Sequence, residues 1–354
     1  MGKKKSKRIF YFDALRALAI LFVLLIHVIK WFVNVETPDT TFWVFSSSFS
    51  ALGNVGVPLF FMISGALILN RDYEIKFFLR HRLLRIFIPF LFWIIVSILL
   101  RMYLNPDYMT LDFVFKAFFE KGYVWFVWVI LGIYLFTPVI NSFVRKNGLD
   151  GVKYFLIIWL VTVILSTLNM YPFKKIELSY FAGFIGYFLL GYYLRNIQPK
   201  ISQKAMMAIG LIMFLVTTAF VVFLITDHYI ELWENFYKTI FPVIQATGLF
   251  IFFRYFEEYC SSHEQSGLNR FFTSMRNSSV GKAITSLSMC SYGIYLTHYL
   301  LIWILLDISD NIIPIFARNP FKWIPVIYMT VLLCSWALVW IFIKIPQLKK
   351  FSGA

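Results

Sequence analysis

The residues best placed to do chemistry in this chain are polar groups set inside long apolar runs. In YFDALRALAILFVLLIHVIK, Arg16 and His27 stand eleven residues apart. Eleven steps of about 100° return a helix to nearly the same azimuth, about 16 Å farther along its axis. One helix face therefore carries a guanidinium, suited to holding an anion, and an imidazole, suited to exchanging protons at neutral pH. Taken singly, each has a plainer account: Arg16 paired with Asp13 at a helix end, and His27 as a packed core histidine. A pair on one stripe is harder to dismiss, because each polar group at membrane depth costs several kcal/mol unless it faces a bundle interior or water.

A second stripe occurs near the C-terminus. In SYGIYLTHYLLIW, Ser291, Tyr295 and His298 fall at i, i+4 and i+7, which is one helix face. If the two helices run in the same direction, His298 and His27 lie in the same half of the membrane and line a common cavity. Interhelical hydrogen bonding by a Tyr/His stripe is the competing account. A third feature is FLRHRLLRIFIPFLFW, where Arg82 and Arg85 stand one turn apart ahead of Pro89. Two guanidinium forks at a membrane boundary form a seat for a phosphorylated donor, although ordinary topology charge explains them better when they are taken alone.

The elements that must position these residues are membrane helices. Of 354 residues, 60% are hydrophobic and 14% charged, with a mean hydropathy of +0.74, against about 45–50% and about 25% in soluble domains. Apolar segments of spanning length cover 9–32, 43–69, 84–104, 123–142, 152–169, 177–195, 205–226, 238–256, 284–306 and 323–345. The sequence thus predicts an all-α polytopic membrane protein, a bundle of about ten transmembrane helices in a single domain spanning 1–354. The second segment should begin as an interfacial stretch, 42–50, before its true span. A basic tail (1–8) precedes the first helix, and a cytoplasmic loop (257–283) is the one long polar connection, part of it (269–282) equally readable as a surface helix or a plain linker.

The net charge of +15 is explained by topology. With the N-terminus cytoplasmic, 23 of the 33 Lys and Arg fall in inner segments and 8 in outer ones, while the 18 acidic residues divide 6 inside and 11 outside, with Asp13 in the first helix. Positive-inside bias therefore predicts both termini in the cytoplasm, and nucleic acid is not needed as a partner. The first apolar run is about twice the length of a signal-peptide core, so it reads as a retained anchor. Cys260, Cys290 and Cys334 are isolated and suggest neither a disulfide framework nor a metal site. His81, His228 and His263 fall in predicted loops, and HExxH, GxSxG and Walker signatures are missing.

In chain order the chain shows the Arg16/His27 pair, GVPLFFMISG, RLLRIFIP, WFVWVILGIYLFTP, GYFLLGYYL and SYGIYLTH. This series resembles the acyltransferase 3 family of integral-membrane O-acyltransferases over nearly the whole chain. The resemblance implies a multi-pass protein of the cell membrane that moves an acyl group, acetyl by default, from cytosolic acyl-CoA to a hydroxyl of an extracytoplasmic or lipid-linked glycan. It carries catalytic roles to His27 and Arg16 and acyl-CoA binding to Arg82 and Arg85. Ser291, Tyr295 and His298 become candidates for acceptor binding or support of His27. Acyl-CoA would serve as co-substrate, with no bound cofactor or metal; the lipid bilayer and the glycan are the other partners, and oligomeric state stays open. Relatives often carry a histidine where this chain has Tyr123-Val124, and the short stretch after 345 leaves no space for the hydrolase-like domain that some members append. The readings that compete are a glycan transporter or flippase and a noncatalytic component of a polysaccharide assembly system.

Overall fold

Helix α1 (Phe10–Val35) is uninterrupted because its 26 residues contain neither proline nor glycine, and it carries Asp13 in its first turn. The computed structural model describes residues 8–35, 40–119, 124–168, 183–226, 239–307 and 319–354. After α1 come α2 (Thr40–Gly53), α3 (Gly56–Ile68), α4 (Ile75–Leu104), a short α5 (Leu111–Phe119), α6 (Trp125–Leu168), α7 (Ile185–Asn196), α8 (Gln203–Thr226), α9 (Ile240–Ser262), α10 (Gly267–Asn277), α11 (Ser279–Asp307) and α12 (Pro320–Lys344), of which α2, α3, α9, α11 and α12 pack against α1. The described residues form no strand, and eight helical stretches among them are long and apolar enough to cross a membrane.

Two differences separate these eight from the ten segments expected. The segments 123–142 and 152–169 are the two helical limbs of α6, separated as expected by a break at Gly148, where φ is 61° and ψ is −151°, and together they make one of the eight stretches. That backbone conformation is open to glycine and strained for other residues. Of the segment 177–195, only the twelve-residue α7 and its approach fall within the described residues. The segment 43–69, one of the eight stretches, is built of two helices, α2 and α3, broken at Asn54-Val55, and Ser46, Ser47 and Ser50 of α2 are buried against neighbours. The predicted loop 257–283 is also largely helical, since α9 runs to Ser262 and α10 fills 267–277. His81 accordingly lies in α4, exposed; His263 caps α9, also exposed; His228 is outside the described residues.

Small residues let the helices approach closely, as membrane packing requires when lipid competes for apolar contact. A Cβ on Gly65 of α3 would sit 1.7 Å from the Phe188 carbonyl oxygen of α7, and one on Gly191 of α7 would sit 1.9 Å from the Met62 carbonyl oxygen of α3. Gly53 and Gly56 do the same against α1, where added Cβ atoms would meet Phe22 O at 3.0 Å and Ala19 O at 2.6 Å. These contacts clamp the segment of α1 immediately before His27. On the other side α11 and α12 flank α1, joined by Trp336 Nε1 donating to Ser286 Oγ at 3.0 Å and by Tyr328 Oη donating to Leu21 O at 3.2 Å.

Contacts define the two ends of the bundle. At one end the backbone N–H groups of Phe10 and Tyr11 donate to Glu257, Arg195 donates to Ala66 O, Arg254 donates to Leu194 O, and Arg145 pairs with Asp72. The segments assigned to one membrane face by charge are thus gathered at one end. The last residues fold back from α12: Trp93 Nε1 donates to Phe351 O at 2.9 Å, and Ser352 is buried against Gly293 of α11.

Candidate active site

The two histidine stripes meet. His298 Nε2 lies 3.2 Å from His27 Nδ1, with ring centroids 4.9 Å apart. Backbone carbonyls fix the protonation pattern of both rings. His298 Nδ1 is 2.6 Å from Tyr295 O and 3.2 Å from Ile294 O, so Nδ1 carries the proton and donates, leaving Nε2 with its lone pair. His27 Nδ1 is 2.8 Å from Val23 O and likewise donates; the same N–H is shared with the His298 Nε2 lone pair. His27 Nε2 is then the lone pair of the pair that bonds to none of the described residues. His298 is fully buried and His27 half-buried, which places the unused nitrogen on the more accessible ring.

The three residues of the second stripe separate in role. Tyr295 contributes its carbonyl to His298, and its ring packs edge-on to Phe126 at 5.1 Å and lies 5.7 Å from the His298 ring. Ser291 turns away from this center: its hydroxyl donates at 3.0 Å to Ser288 O on the same helix, the local bond that serine commonly makes in a helix interior. Tyr299, which sequence reasoning passed over, stands edge-on to His27 at 6.2 Å. Its position one residue after His298 put it off the stripe, yet an aromatic ring is wide enough to reach the neighbouring helix from there.

Toward the other end of α1, Arg16 Nη1 is 3.4 Å from Ser288 Oγ, and Ser288 Oγ donates to Asp13 Oδ1 at 2.7 Å. The Asp13–Arg16 pair of the plainer account is replaced by this bridge, because Arg8 takes the carboxylate directly through Nε at 2.5 Å and Nη2 at 2.8 Å. Arg16 is half-buried, forms no ion pair among the described residues, and lies within electrostatic reach of Arg85. A desolvated cation whose nearest carboxylate is already engaged retains most of its capacity to bind an anion.

Arg82 and Arg85 occupy α4, half-buried and exposed respectively, and neither is brought to the histidines. They belong to a basic group at the Phe10 end. Arg82 lies within electrostatic reach of Arg71 and Tyr73; Arg195 also reaches Arg71, and its guanidinium covers the Phe12 ring at 5.4 Å. Partial desolvation, with Arg195 and Arg82 beside it, lowers the pKa of the exposed Arg71 guanidinium from its ordinary value. The sequence contained Arg71 and Arg195 as inner-loop charge, with nothing in their spacing to join them to Arg82. Just past Arg85, Pro89 interrupts the α4 hydrogen-bond ladder, and Tyr292 Oη of α11 donates to Ile86 O at 2.8 Å, tying the basic segment to the histidine-bearing helix. Tyr123 lies outside the described residues.

The geometry therefore has two centers on α1, a cationic one near Arg16 and a neutral imidazole pair at His27. His, Cys, Asp and Glu form no group able to hold a metal ion among the described residues. No curated protein and no solved structure matches the chain. Over residues 9–340 the sequence matches the acyltransferase 3 family, an acyltransferase domain, so the chain belongs to that family, here carried by a helical integral membrane protein.

Proposed function

We propose that the protein is a membrane O-acyltransferase that takes an acyl group, acetyl in the simplest case, from acyl-CoA in the cytosol. It delivers that group to a hydroxyl of a glycan or lipid-linked sugar on the other face of the cell membrane. The observation that carries this reading is the shared proton between His27 Nδ1 and His298 Nε2, which leaves His27 Nε2 as a lone pair with a supported ring behind it. In this reading the chain crosses the membrane ten times with both termini cytoplasmic, so the Phe10 end faces the cytosol and the histidine pair lies in the outer half.

The chemistry follows from these positions. The phosphates of the donor nucleotide bind at Arg82 and Arg85, and the pantetheine arm passes Arg16 toward His27, about 16 Å farther along α1 by helical rise. His27 Nε2 removes the proton of the acceptor hydroxyl as its oxygen attacks the thioester carbonyl. The C–O bond forms, the C–S bond breaks, and the proton passes from the imidazolium to the departing CoA thiolate. While His27 is charged, its Nδ1–H is held by Val23 O and by the His298 lone pair. If His27 attacks as a nucleophile, the same nitrogen forms an acyl-imidazole and the acceptor hydroxyl then displaces it.

Membranes containing the protein, supplied with acyl-labelled CoA and candidate glycans, should form an alkali-labile ester on the glycan. A His27→Ala variant should lose that ester while glycan export continues. Retained acylation would remove His27 as the reacting group, and lost export with normal acylation would favour a transporter. Rapid quenching separates the two roles of His27, since only a nucleophile gives a protein-bound acyl label.

A further inference from the structure

Arg101 stands in the last turn of α4, at the end of the bundle opposite Phe10, and was counted in the sequence as an ordinary outer-face charge. An arginine there has an undemanding alternative, which is to extend into the headgroup region as helix-end cations do. Tyr103, two residues on, shows what that looks like, at 82% exposed. Arg101 does the opposite. Its guanidinium is turned toward α11, 4.9 Å from the Trp303 ring centroid and 6.0 Å from that of Tyr299. Its Nε is sealed from solvent and bonds to none of the described residues. Tyr299 is the same ring that stands edge-on to His27.

Arg101, Trp303, Tyr299 and His27 thus form one continuous arrangement, with exposed Lys30 of α1 also within electrostatic reach of His27. Its chemistry is specific. The apolar face of a pyranose stacks on an indole or phenol ring, whereas a guanidinium that pairs with no carboxylate among the described residues seeks an oxyanion. Cation–π contact with Trp303 and Tyr299 holds the planar guanidinium in place without neutralising it. We infer that Arg101, with Trp303 and Tyr299, is the acceptor subsite, and that the acceptor is an anionic saccharide whose negative group sits beside the sugar ring presented to His27. The inference rests on the acyltransferase reading for the direction of transfer, and it names the substrate class that reading left open. A uronate carboxylate and a phosphate linking a sugar to lipid share the required chemistry.

The test uses the full chain in lipid nanodiscs and three trisaccharides: a hexuronate trimer, its carboxyl-reduced neutral form, and the neutral form bearing a terminal phosphate diester. Wild-type protein should bind at least one anionic trimer about ten-fold more tightly than the neutral one. Arg101→Gln should erase that preference and Arg101→Lys restore part of it, while CoA binding stays unchanged in both as evidence of an intact fold. The identity of the preferred trimer distinguishes carboxylate from phosphate. Equal binding of all three by wild-type protein overturns the inference whatever the variants do, and so does a preference that persists in Arg101→Gln. Label release from acyl-CoA in the same samples reads the acyltransferase proposal separately: anionic preference without release would leave the saccharide site standing and remove the enzyme.

Discussion

The two polar centers on α1 are built on different principles. At Arg16, side chains meet side chains: Arg8, Asp13, Ser288 and Arg16 form one chain of contacts, with Arg85 in electrostatic reach. At His27, the supports are backbone carbonyls and a second imidazole, and the closest partners carry no charge. A cationic network suits a donor that arrives with several phosphate charges, because charge-assisted bonds are strong and can be shared among several forks. A proton-transferring group has other needs. A neutral imidazole is far less costly to bury than a cation, and carbonyls from its own helix hold it without a formal charge that would fix its protonation state. The contrast teaches that redundancy belongs to binding and singularity to chemistry, and mutations should reveal that difference.

The largest effect should come from His27. His27→Ala should lower acyl transfer by about 10²–10⁴-fold, the usual contribution of a positioned acid-base group, while acyl-CoA affinity stays near that of the wild type. Next comes His298, whose side chain bonds to the side chain of His27 and otherwise to backbone carbonyls of its own helix. His298→Phe removes the acceptor for the His27 Nδ1–H and should reduce kcat about 10–100-fold, the equivalent of one hydrogen bond to a charged group. His298→Gln, whose side-chain oxygen can accept the same N–H, should recover part of that loss, which a purely packing role would not allow. An unchanged KM for acyl-CoA in both variants is the accompanying check.

The basic end should respond differently. Arg82→Ala and Arg85→Ala should each raise the KM for acyl-CoA by about ten-fold and leave kcat largely intact, because the neighbouring guanidiniums Arg71, Arg195 and Arg16 remain. The double variant should lose more than either single one. Raising the salt concentration should weaken donor binding in the wild type and have less effect in the double variant, since exposed charges are screened. A fall in kcat with unchanged KM would reverse the assignment of the two centers.

How much of this was legible in the sequence depends on how far each feature reaches. The helical face joining Arg16 to His27 and that joining Tyr295 to His298 follow from periodicity alone. Their meeting also follows once both helices are taken to run in the same direction. Side-chain destinations did not follow. Asp13 is three residues from Arg16 on α1, yet Arg8 captures it, because an arginine just outside the helix can fold back on the first turn. Ser291 lies on the predicted stripe, but its hydroxyl is satisfied within its own helix. Arg101 counted as one outer charge among eight, and only the packing of α4 against α11 turns it inward. The break inside α6, by contrast, was legible, since hydropathy places a loop between two segments where the backbone turns at Gly148.

The smallest predicted effect is also the finest discriminator between the two centers. Ser288 and Ser291 are one turn apart on α11, both buried and both serine, but only Ser288 joins Asp13 to Arg16. Ser291→Ala deletes a hydroxyl bonded to its own helix and should change neither kcat nor KM, with stability within about 0.5–1 kcal/mol of wild type by thermal unfolding. Ser288→Ala leaves Asp13 with Arg8 as its remaining side-chain partner and frees Arg16 from its tether. It should therefore shift the KM for acyl-CoA a few-fold while kcat and the histidine chemistry are preserved. If both serines behave as Ser291 is expected to, Arg16 is not held by its network, and the cationic center reduces to Arg82 and Arg85. If Ser288→Ala instead lowers kcat alone, Arg16 acts on the transferring group itself, and the separation between a binding end and a chemical end of α1 fails.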